Sequence, residues 1–415
     1  MRKHLVYSVL TGKACHSAIL NNTEKRMVKT MKKKLISMIV CLAAAAMLVG
    51  CGSKAQPAPS GSEGGTNEKA LKIAIVTSGG GVDDGSFNQD NYNGILSFIA
   101  DHPSSTVTPV QDSTGDSAAA LQAVQDIVAD YDVLVLNGFQ FAAVSEIASD
   151  NPGKSFILVD TFPTDAEGNE ITLDNVYAMT FKEEEGGFLA GVAAALSTKT
   201  NKVAVVNGIA FPSNVNYQYG FMSGVNYSNR HFGTKAECIE LASYAGTDVT
   251  GKNVGGNYIG SFGDPANGKV VGDALIKEGC DIIFVAAGAS GNGVFTAVKE
   301  SAADDFVIGC DTDQYSDGAN GDKNIVLTCA LKIMGKNDKR VLGTVLDGSF
   351  KGGNYTLGAD TDSIGFVSEA GRHQLTDDAV EKISKAYELV KNGTIVPAAN
   401  FNGYTPDNFK GMDAE

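Results

Sequence analysis

Tryptophan is absent from this chain of 415 residues, and histidine occurs only five times. The absence of tryptophan removes the side chain that most often stacks on sugar rings. Basic residues are also scarce, since 33 Lys and Arg stand against 48 Asp and Glu, for a net charge of −15. That sign argues against nucleic acid as the main partner. The chain does contain 43% hydrophobic residues, and its length suits two domains of about 100–200 residues each.

The cysteines and histidines do not form a metal-binding or catalytic pattern. The sequence has no CxxC pair, and the last three histidines, His102, His231 and His373, are far apart. We therefore predict no zinc site, no Ser-His-Asp triad and no cofactor. Apolar runs beside three of the later cysteines favour buried thiols, and a disulfide bond is the alternative. The cysteines after residue 51 are Cys238, Cys280, Cys310 and Cys329.

Residues 31–50 have the order of a secretory signal. Met31 is followed by three lysines, then by an apolar stretch of about 15 residues that ends in Leu48-Val49-Gly50-Cys51. The stretch is shorter than the roughly 20 residues of a membrane span, so we predict a removed signal peptide. Its end resembles a bacterial lipobox. That resemblance implies that Cys51 carries a diacylglycerol and anchors the protein to the extracytoplasmic face of the cell membrane; a plain secretory signal is the alternative.

Two further segments precede the region that we expect to fold. Residues 1–30 do not resemble a signal, and we interpret them as a mis-assigned upstream start. Residues 51–69 are rich in Ser, Gly, Pro and Ala, which predicts a flexible tether. Residues 1–50 carry nine basic residues and one acidic residue, so the rest of the chain has a net charge of −23. This charge excludes a polybasic membrane patch and leaves anchoring to the acyl chains.

From residue 71 onward, short apolar runs alternate with segments of helical length. The first run, residues 71–77, is followed by three glycines and a helical pattern from Ser86. Near-continuous apolar strands separated by helices predict an α/β protein with parallel sheets covered on both faces, and the length fits two such sheets. Ligands of these folds lie at the carboxyl ends of the strands. The residues expected there are small or polar, which favours a neutral ligand: Ser78, Asn137, Asp160, Asn207, Gly288 and Asp311.

Four motifs occur in a characteristic order. They are GVDDGSFNQ (81–89), FKEEEGGFLAG (181–191), GSFGDPANGK (260–269) and IGCDTDQ (308–314). In order and approximate spacing they resemble the basic membrane protein family of lipoproteins, which are substrate-binding components of ABC transporters, and specifically its purine nucleoside receptors. The resemblance extends from about residue 70 to the C-terminus.

This resemblance implies a type I periplasmic-binding-protein fold with two doubly wound, parallel-sheet lobes and a hinge of three chain crossings, near residues 180, 331 and 362. The N-terminal lobe would comprise residues 70–180 plus 331–361, and the C-terminal lobe residues 181–330 plus 362–415. The implied protein is a monomer that binds a purine nucleoside between its lobes, delivers it to an ABC permease and catalyses no reaction.

The resemblance also implies contacts to the base. Asn88 matches a residue that hydrogen-bonds the ligand, with capping of the first helix as the alternative. Asp84 would either contact the ligand or fix its own loop. Asp160 matches the aspartate that recognises the purine, whose N–H groups a carboxylate can accept, with a cap or turn role as the alternative.

Aromatic stacking is expected from Phe262, which matches a residue on one face of the base; a core role is the alternative. Some relatives carry an aromatic residue for the other face where this chain has Val82. Stacking on that face is therefore lost, or it is supplied by Phe139 or Phe141.

The ribose would be held by Asp311 and Lys332, a carboxylate and an ammonium that match the family's pair for the sugar hydroxyls. An ordinary salt bridge is the alternative, and Asp313 is the second choice if Asp311 is out of register. Gly288 would let the ligand approach backbone N–H groups.

Three consecutive glutamates, Glu183, Glu184 and Glu185, stand where a helix is predicted to begin. The helix dipole favours negative charge there, so the run requires neither metal binding nor catalysis. Two other functions stay open: a nucleoside-processing enzyme on a similar scaffold, and a surface sensor that binds a sugar-like ligand.

Overall fold

The computed structural model describes residues 69–414. The predicted upstream start, signal peptide, lipid anchor at Cys51 and nearly all of the tether lie outside these residues. None of the helices between residues 69 and 414 combines the length and apolar character that a membrane crossing demands.

Sixteen strands and nine α-helices occur in the described chain. The strands are β1 (Lys72–Ser78), β2 (Thr106–Asp112), β3 (Val133–Asn137), β4 (Ser155–Val159), β5 (Val176–Phe181), β6 (Lys202–Asn207), β7 (Glu237–Cys238), β8 (Gly246–Thr247), β9 (Asn253–Gly255), β10 (Ile282–Ala286), β11 (Phe306–Asp311), β12 (Ala319–Asn320), β13 (Lys323–Asn324), β14 (Val326–Lys332), β15 (Gly353–Leu357) and β16 (Ile364–Phe366). The helices are α1 (Phe87–Asp101), α2 (Ser117–Ile127), α3 (Ser145–Asp150), α4 (Glu183–Ser197), α5 (Pro212–His231), α6 (Pro265–Lys277), α7 (Gly291–Glu300), α8 (Met334–Asp347) and α9 (Asp377–Lys391).

Two six-stranded sheets organise the molecule, and we call the lobes built on them the first and the second lobe. The first sheet has the order β15-β5-β4-β3-β1-β2 and is wholly parallel. The second has the order β16-β14-β11-β10-β6-β7 and is parallel except for β16, which pairs antiparallel with β14. The predicted class of two doubly wound lobes is confirmed, with β16 as an antiparallel edge that the pattern did not indicate.

The inner strands are buried on both faces, which explains their continuous apolar sequences. All five residues of β3 are buried, and so are all five of β10. Strand β2 is different, because it forms an edge, is mostly exposed and contains Pro109. A polar edge strand with proline lacks the apolar run that predicts a strand, so the sequence pattern missed it.

The chain passes between the two sheets three times, and these passages bring their flanking elements together. It leaves the first sheet after β5, returns after β14 and leaves again after β15. Glycines allow the helices beside the passages to touch. A Cβ on Gly191 of α4 would lie 2.1 Å from the Phe221 carbonyl oxygen of α5, and one on Gly94 of α1 would lie 2.2 Å from the Gly335 carbonyl oxygen of α8.

The four cysteines of the described chain are free thiols, and Cys280, Cys310 and Cys329 are buried. Burial raises the pKa of the Cys280 and Cys329 thiols to about 12, so both remain protonated at neutral pH. They pack as small hydrophobic side chains, as their apolar surroundings in the sequence predicted.

Candidate ligand-binding site

A cleft lies between the carboxyl ends of the strands of the two sheets and has a volume of about 610 Å³, part of it open to solvent. Strand ends from both lobes contribute to its wall, as expected for open parallel sheets. The structure brings all eight predicted ligand-binding residues to this one cavity. They are Asp84, Asn88, Phe139, Asp160, Phe262, Gly288, Asp311 and Lys332.

A buried ammonium group lies at the centre of the polar wall. Lys332 Nζ is 2.6 Å from Asp160 Oδ2, 3.4 Å from Glu183 Oε1 and 4.0 Å from Asp311 Oδ1. Lys332 and Asp311 thus lie in one network, although the shortest ion pair of Lys332 is with Asp160, which crosses from one lobe to the other. The sequence offered no signal for that pairing, because the two residues are 172 positions apart.

Burial and charge act in opposite directions on these groups. Burial lowers the pKa of the Lys332 ammonium, but the three carboxylates outweigh it and raise that pKa above its usual value. Burial also raises the pKa of Asp160, which Lys332 opposes, and raises the pKa of Glu183 to about 7. One cation therefore faces three carboxyl groups, and the cavity is rich in hydrogen-bond acceptors.

Asp160 and Asp311 share an unusual backbone conformation. Asp160 follows β4 and Asp311 ends β11. The backbone of both residues is in the left-handed region, with φ of 67° and 69° respectively. Aspartate tolerates this region better than most residues, but the conformation is still costly and clusters at functional sites. Asp311 accepts hydrogen bonds from Ser86 Oγ at 2.8 Å and Tyr217 OH at 3.1 Å. Asp160 Oδ1 is buried and has no hydrogen-bond partner within residues 69–414.

The loop before α1 contributes Asp84 and Asn88, which have different roles. Asp84 accepts from the backbone N–H groups of Ser86, Asn88 and Gln89 at 2.9–3.1 Å, so it caps α1 and fixes its own loop. Burial nevertheless raises its pKa to about 6. The side chain of Asn88 does not cap the helix.

Asn88 instead lies against the end of β3. Its Oδ1 accepts from Asn137 Nδ2 at 3.3 Å. Asn137 Oδ1 is buried, and no group of the described chain donates to it. Asn137 also lines the cavity, so it adds a second unpaired acceptor beside that of Asp160.

A row of three phenylalanines forms the apolar wall. The Phe139 and Phe211 ring centroids are 5.0 Å apart and those of Phe211 and Phe262 are 6.1 Å apart, with 32° between the planes in each pair. Phe262 packs over Gly208, where a Cβ would lie 2.3 Å from the ring. Of the two residues expected to replace the aromatic missing at Val82, Phe139 lines the cavity, whereas Phe141 is fully buried in the core of the first lobe.

Sequence reasoning missed the contribution of α5. Phe211 immediately precedes this helix, and Ser213, Asn214 and Tyr217 from its first turns line the cavity. Pro212 at the first helical position, four residues after the Asn207-Gly208 strand end, is the signal that could have placed a helix start at the cleft.

Two of the three glutamates at the start of α4 have structural partners, and the third is buried. Glu183 Oε2 accepts from Asn216 Nδ2 at 3.2 Å, and Glu185 Oε2 accepts from the Ala359 backbone N–H at 2.7 Å. Glu184 is buried, which raises its pKa to about 8. Within the described residues, no group of three or more His, Cys, Asp or Glu side chains is placed to hold a metal ion.

Comparison with known proteins identifies a family and a fold. Residues 70–247 and 242–400 match the Bmp family model, described as ABC transporter substrate-binding protein PnrA-like. The ABC transporter nucleoside-binding protein BmpA of Lactococcus lactis is 31% identical over 387 residues, which cover 88% of this chain and 99% of the relative. Basic membrane protein A1 of Borrelia garinii is 28% identical over 74% of this chain and 82% of the relative.

Among solved structures, an ABC transporter solute-binding protein from Aeropyrum pernix superposes with a TM-score of 0.66 at 22% identity, covering 80% of this chain and 94% of that one. This likeness supports the two-lobed fold. The family model matches most of the chain, and the L. lactis relative is matched over nearly its full length. Together these two matches establish the family. The chain belongs to the Bmp family of PnrA-like ABC transporter substrate-binding proteins, whose members bind a substrate and are not enzymes.

Proposed function

We propose that this protein captures a purine nucleoside in the interlobe cleft and delivers it to an ABC permease, while a lipid on Cys51 holds it, as a monomer, at the extracytoplasmic face of the membrane. The observation that carries the proposal is the chemistry of the cavity wall. Asp84, Asp160 and Asp311 line the cavity beside a single ammonium, that of Lys332, and a row of three phenylalanines completes the wall.

A nucleoside suits this wall because it offers hydrogen-bond donors and a flat face. The unpaired oxygens of Asp160 and Asn137 would accept from the N–H groups of the base, beside Asn88. Phe262 and Phe139 would contact the base, since aromatic side chains stack on any purine. The excess of carboxyl groups disfavours a phosphorylated ligand, whose charge they would repel.

The ribose would lie toward Asp311 and Lys332, which accept and donate, respectively, to hydroxyl groups. Gly288, with φ of 52°, would bring backbone N–H groups to the ligand. Asp84 would act chiefly through the helix that it caps. Since both lobes supply contacts, ligand binding would stabilise the closed state relative to the open one.

Isothermal titration calorimetry of the purified chain tests the proposal. Inosine, guanosine and adenosine should bind, whereas ribose and inosine monophosphate should bind far more weakly. Asp160→Asn should weaken binding about ten-fold or more, since bonds to charged groups contribute about 1.5–3 kcal/mol. Asp130→Asn, at an exposed position of the same lobe, should have no effect.

The aromatic wall has its own matched pair of variants. Phe262→Leu should weaken nucleoside binding through lost stacking, and Phe401→Leu, at a side chain that is 63% exposed, should not. A protein that binds none of the three nucleosides would contradict the proposal, as would release of free base from inosine during incubation.

A further inference from the structure

The loop that precedes α1 in the first lobe is held by three groups of the second lobe. Gln314 Nε2 donates to the Gly85 carbonyl oxygen at 2.9 Å. Asn292 Nδ2 donates to the Asp84 carbonyl oxygen at 3.3 Å, and Ser86 Oγ donates to Asp311 Oδ2 at 2.8 Å. These bonds join the lobes directly, so they can form only when the lobes are close together.

Gln314 is fixed within its own lobe by the opposite end of its amide. Its Oε1 accepts from the Cys310 backbone N–H at 2.9 Å, directly beside Asp311. The residue is buried, and Gly309 makes room for it, because a Cβ there would lie 2.7 Å from Gln314 Oε1. One amide thus supports the strand end that carries Asp311 and also reaches across the cleft.

Gln314 lies outside the cavity wall that we propose for the nucleoside. Its two bonds are to backbone groups, and neither depends on which ligand occupies the cleft. A residue in this position would alter the balance between open and closed states without altering the contacts that distinguish one ligand from another.

We propose that Gln314 is a positioning residue of an interlobe latch, formed with Asn292 and Ser86, that populates the closed state even without ligand and sets the affinity for all ligands by the same factor. Three hydrogen bonds of ordinary strength favour the closed state by about a hundred-fold. Because affinity scales with the population of the binding-competent state, weakening the latch raises every Kd equally.

Gln314→Glu is the sharpest test, since the two side chains have the same shape. Glutamate keeps an acceptor for the Cys310 N–H but places an oxygen, instead of an N–H, against the Gly85 carbonyl oxygen. Asn292→Asp removes the second donor in the same way and serves if the first variant does not fold. The matched control is Gln122→Glu, because Gln122 is exposed on α2, bonds Asp126 at 2.7 Å and does not line the cavity.

The first measurement is made without ligand. Spin labels on unnatural amino acids at the exposed positions 150 in the first lobe and 277 in the second report the distance between lobes by double electron–electron resonance. We expect a closed population in the unsubstituted chain, and a closed-to-open ratio about ten-fold lower in Gln314→Glu. Absence of a closed population, or equal distributions in Gln314→Glu and Gln122→Glu, would overturn the proposal.

The second measurement uses inosine and guanosine. Gln314→Glu should raise both Kd values by the same factor, equal to the factor by which it lowers the closed fraction measured without ligand, whereas unequal factors would place Gln314 in direct contact with ligand and overturn its assignment as a latch. If neither nucleoside binds the unsubstituted chain, the proposed function fails, while the ligand-free distances still decide the latch.

Discussion

A buried glutamate at the start of α4 predicts how the stability of the folded protein changes with pH. Glu184 is buried where the chain first passes between the lobes, and burial, reinforced by Glu183, raises its pKa from 4.5 to about 8. Between these two values the folded protein binds a proton that the unfolded chain does not. Stability from this group is therefore complete below about pH 4.5 and is lost as the pH rises toward 8.

The size follows from about 1.4 kcal/mol for each unit of pKa shift. Raising the pH from 5 to 7 should cost the protein about 2 to 3 kcal/mol through Glu184 alone. Glu184→Gln removes the titrating group, so its free energy of unfolding relative to the unsubstituted chain should rise by that amount over the same interval.

Urea unfolding followed by circular dichroism at pH 5, 6, 7 and 8 measures this difference. Glu381→Gln is the control, because Glu381 is exposed on α9 and pairs with Lys385 at 2.8 Å; its effect should stay within about 0.5 kcal/mol at every pH. If the unfolding free energies of Glu184→Gln and the unsubstituted chain run parallel from pH 5 to pH 8, then burial does not raise the pKa of Glu184 as the structure indicates.

Three further substitutions test packing and buried charge by the same unfolding assay. Gly191→Ala should destabilise by about 3 kcal/mol, because its Cβ would press on the α5 backbone, whereas Gly343→Ala in the open interior of α8 should be neutral or stabilising. Lys332→Met should cost about 3–5 kcal/mol at pH 7, by leaving three carboxyl groups without their cation, and less at pH 5. Asp338→Asn should stabilise more at pH 8 than at pH 5, because burial raises the pKa of Asp338 and neither carboxyl oxygen has a partner in residues 69–414; the opposite trend would contradict that assignment.

Local patterns in the sequence identified most inner elements of the fold. The apolar run at residues 202–207 is strand β6, and the run at 306–310 is β11 to within one residue. Such runs are readable because an inner parallel strand is buried on both faces and must be apolar throughout. Edge strands such as β2 and β16 were not predicted, because a partly exposed strand does not need a continuous apolar sequence.

The sequence by itself determined which residues stand at strand ends, and the family resemblance predicted Asn88, Asp160 and Asp311 as ligand contacts. Only the tertiary structure decided how these residues meet. It paired Lys332 with Asp160, lined the cleft with Phe211 from the start of α5, and carried Gln314 across to Gly85. Whether a strand is buried depends on its own side chains, which the local sequence shows. Whether the ends of two strands from different sheets face each other depends on how the three chain crossings position the two lobes, and those crossings are far apart in the sequence.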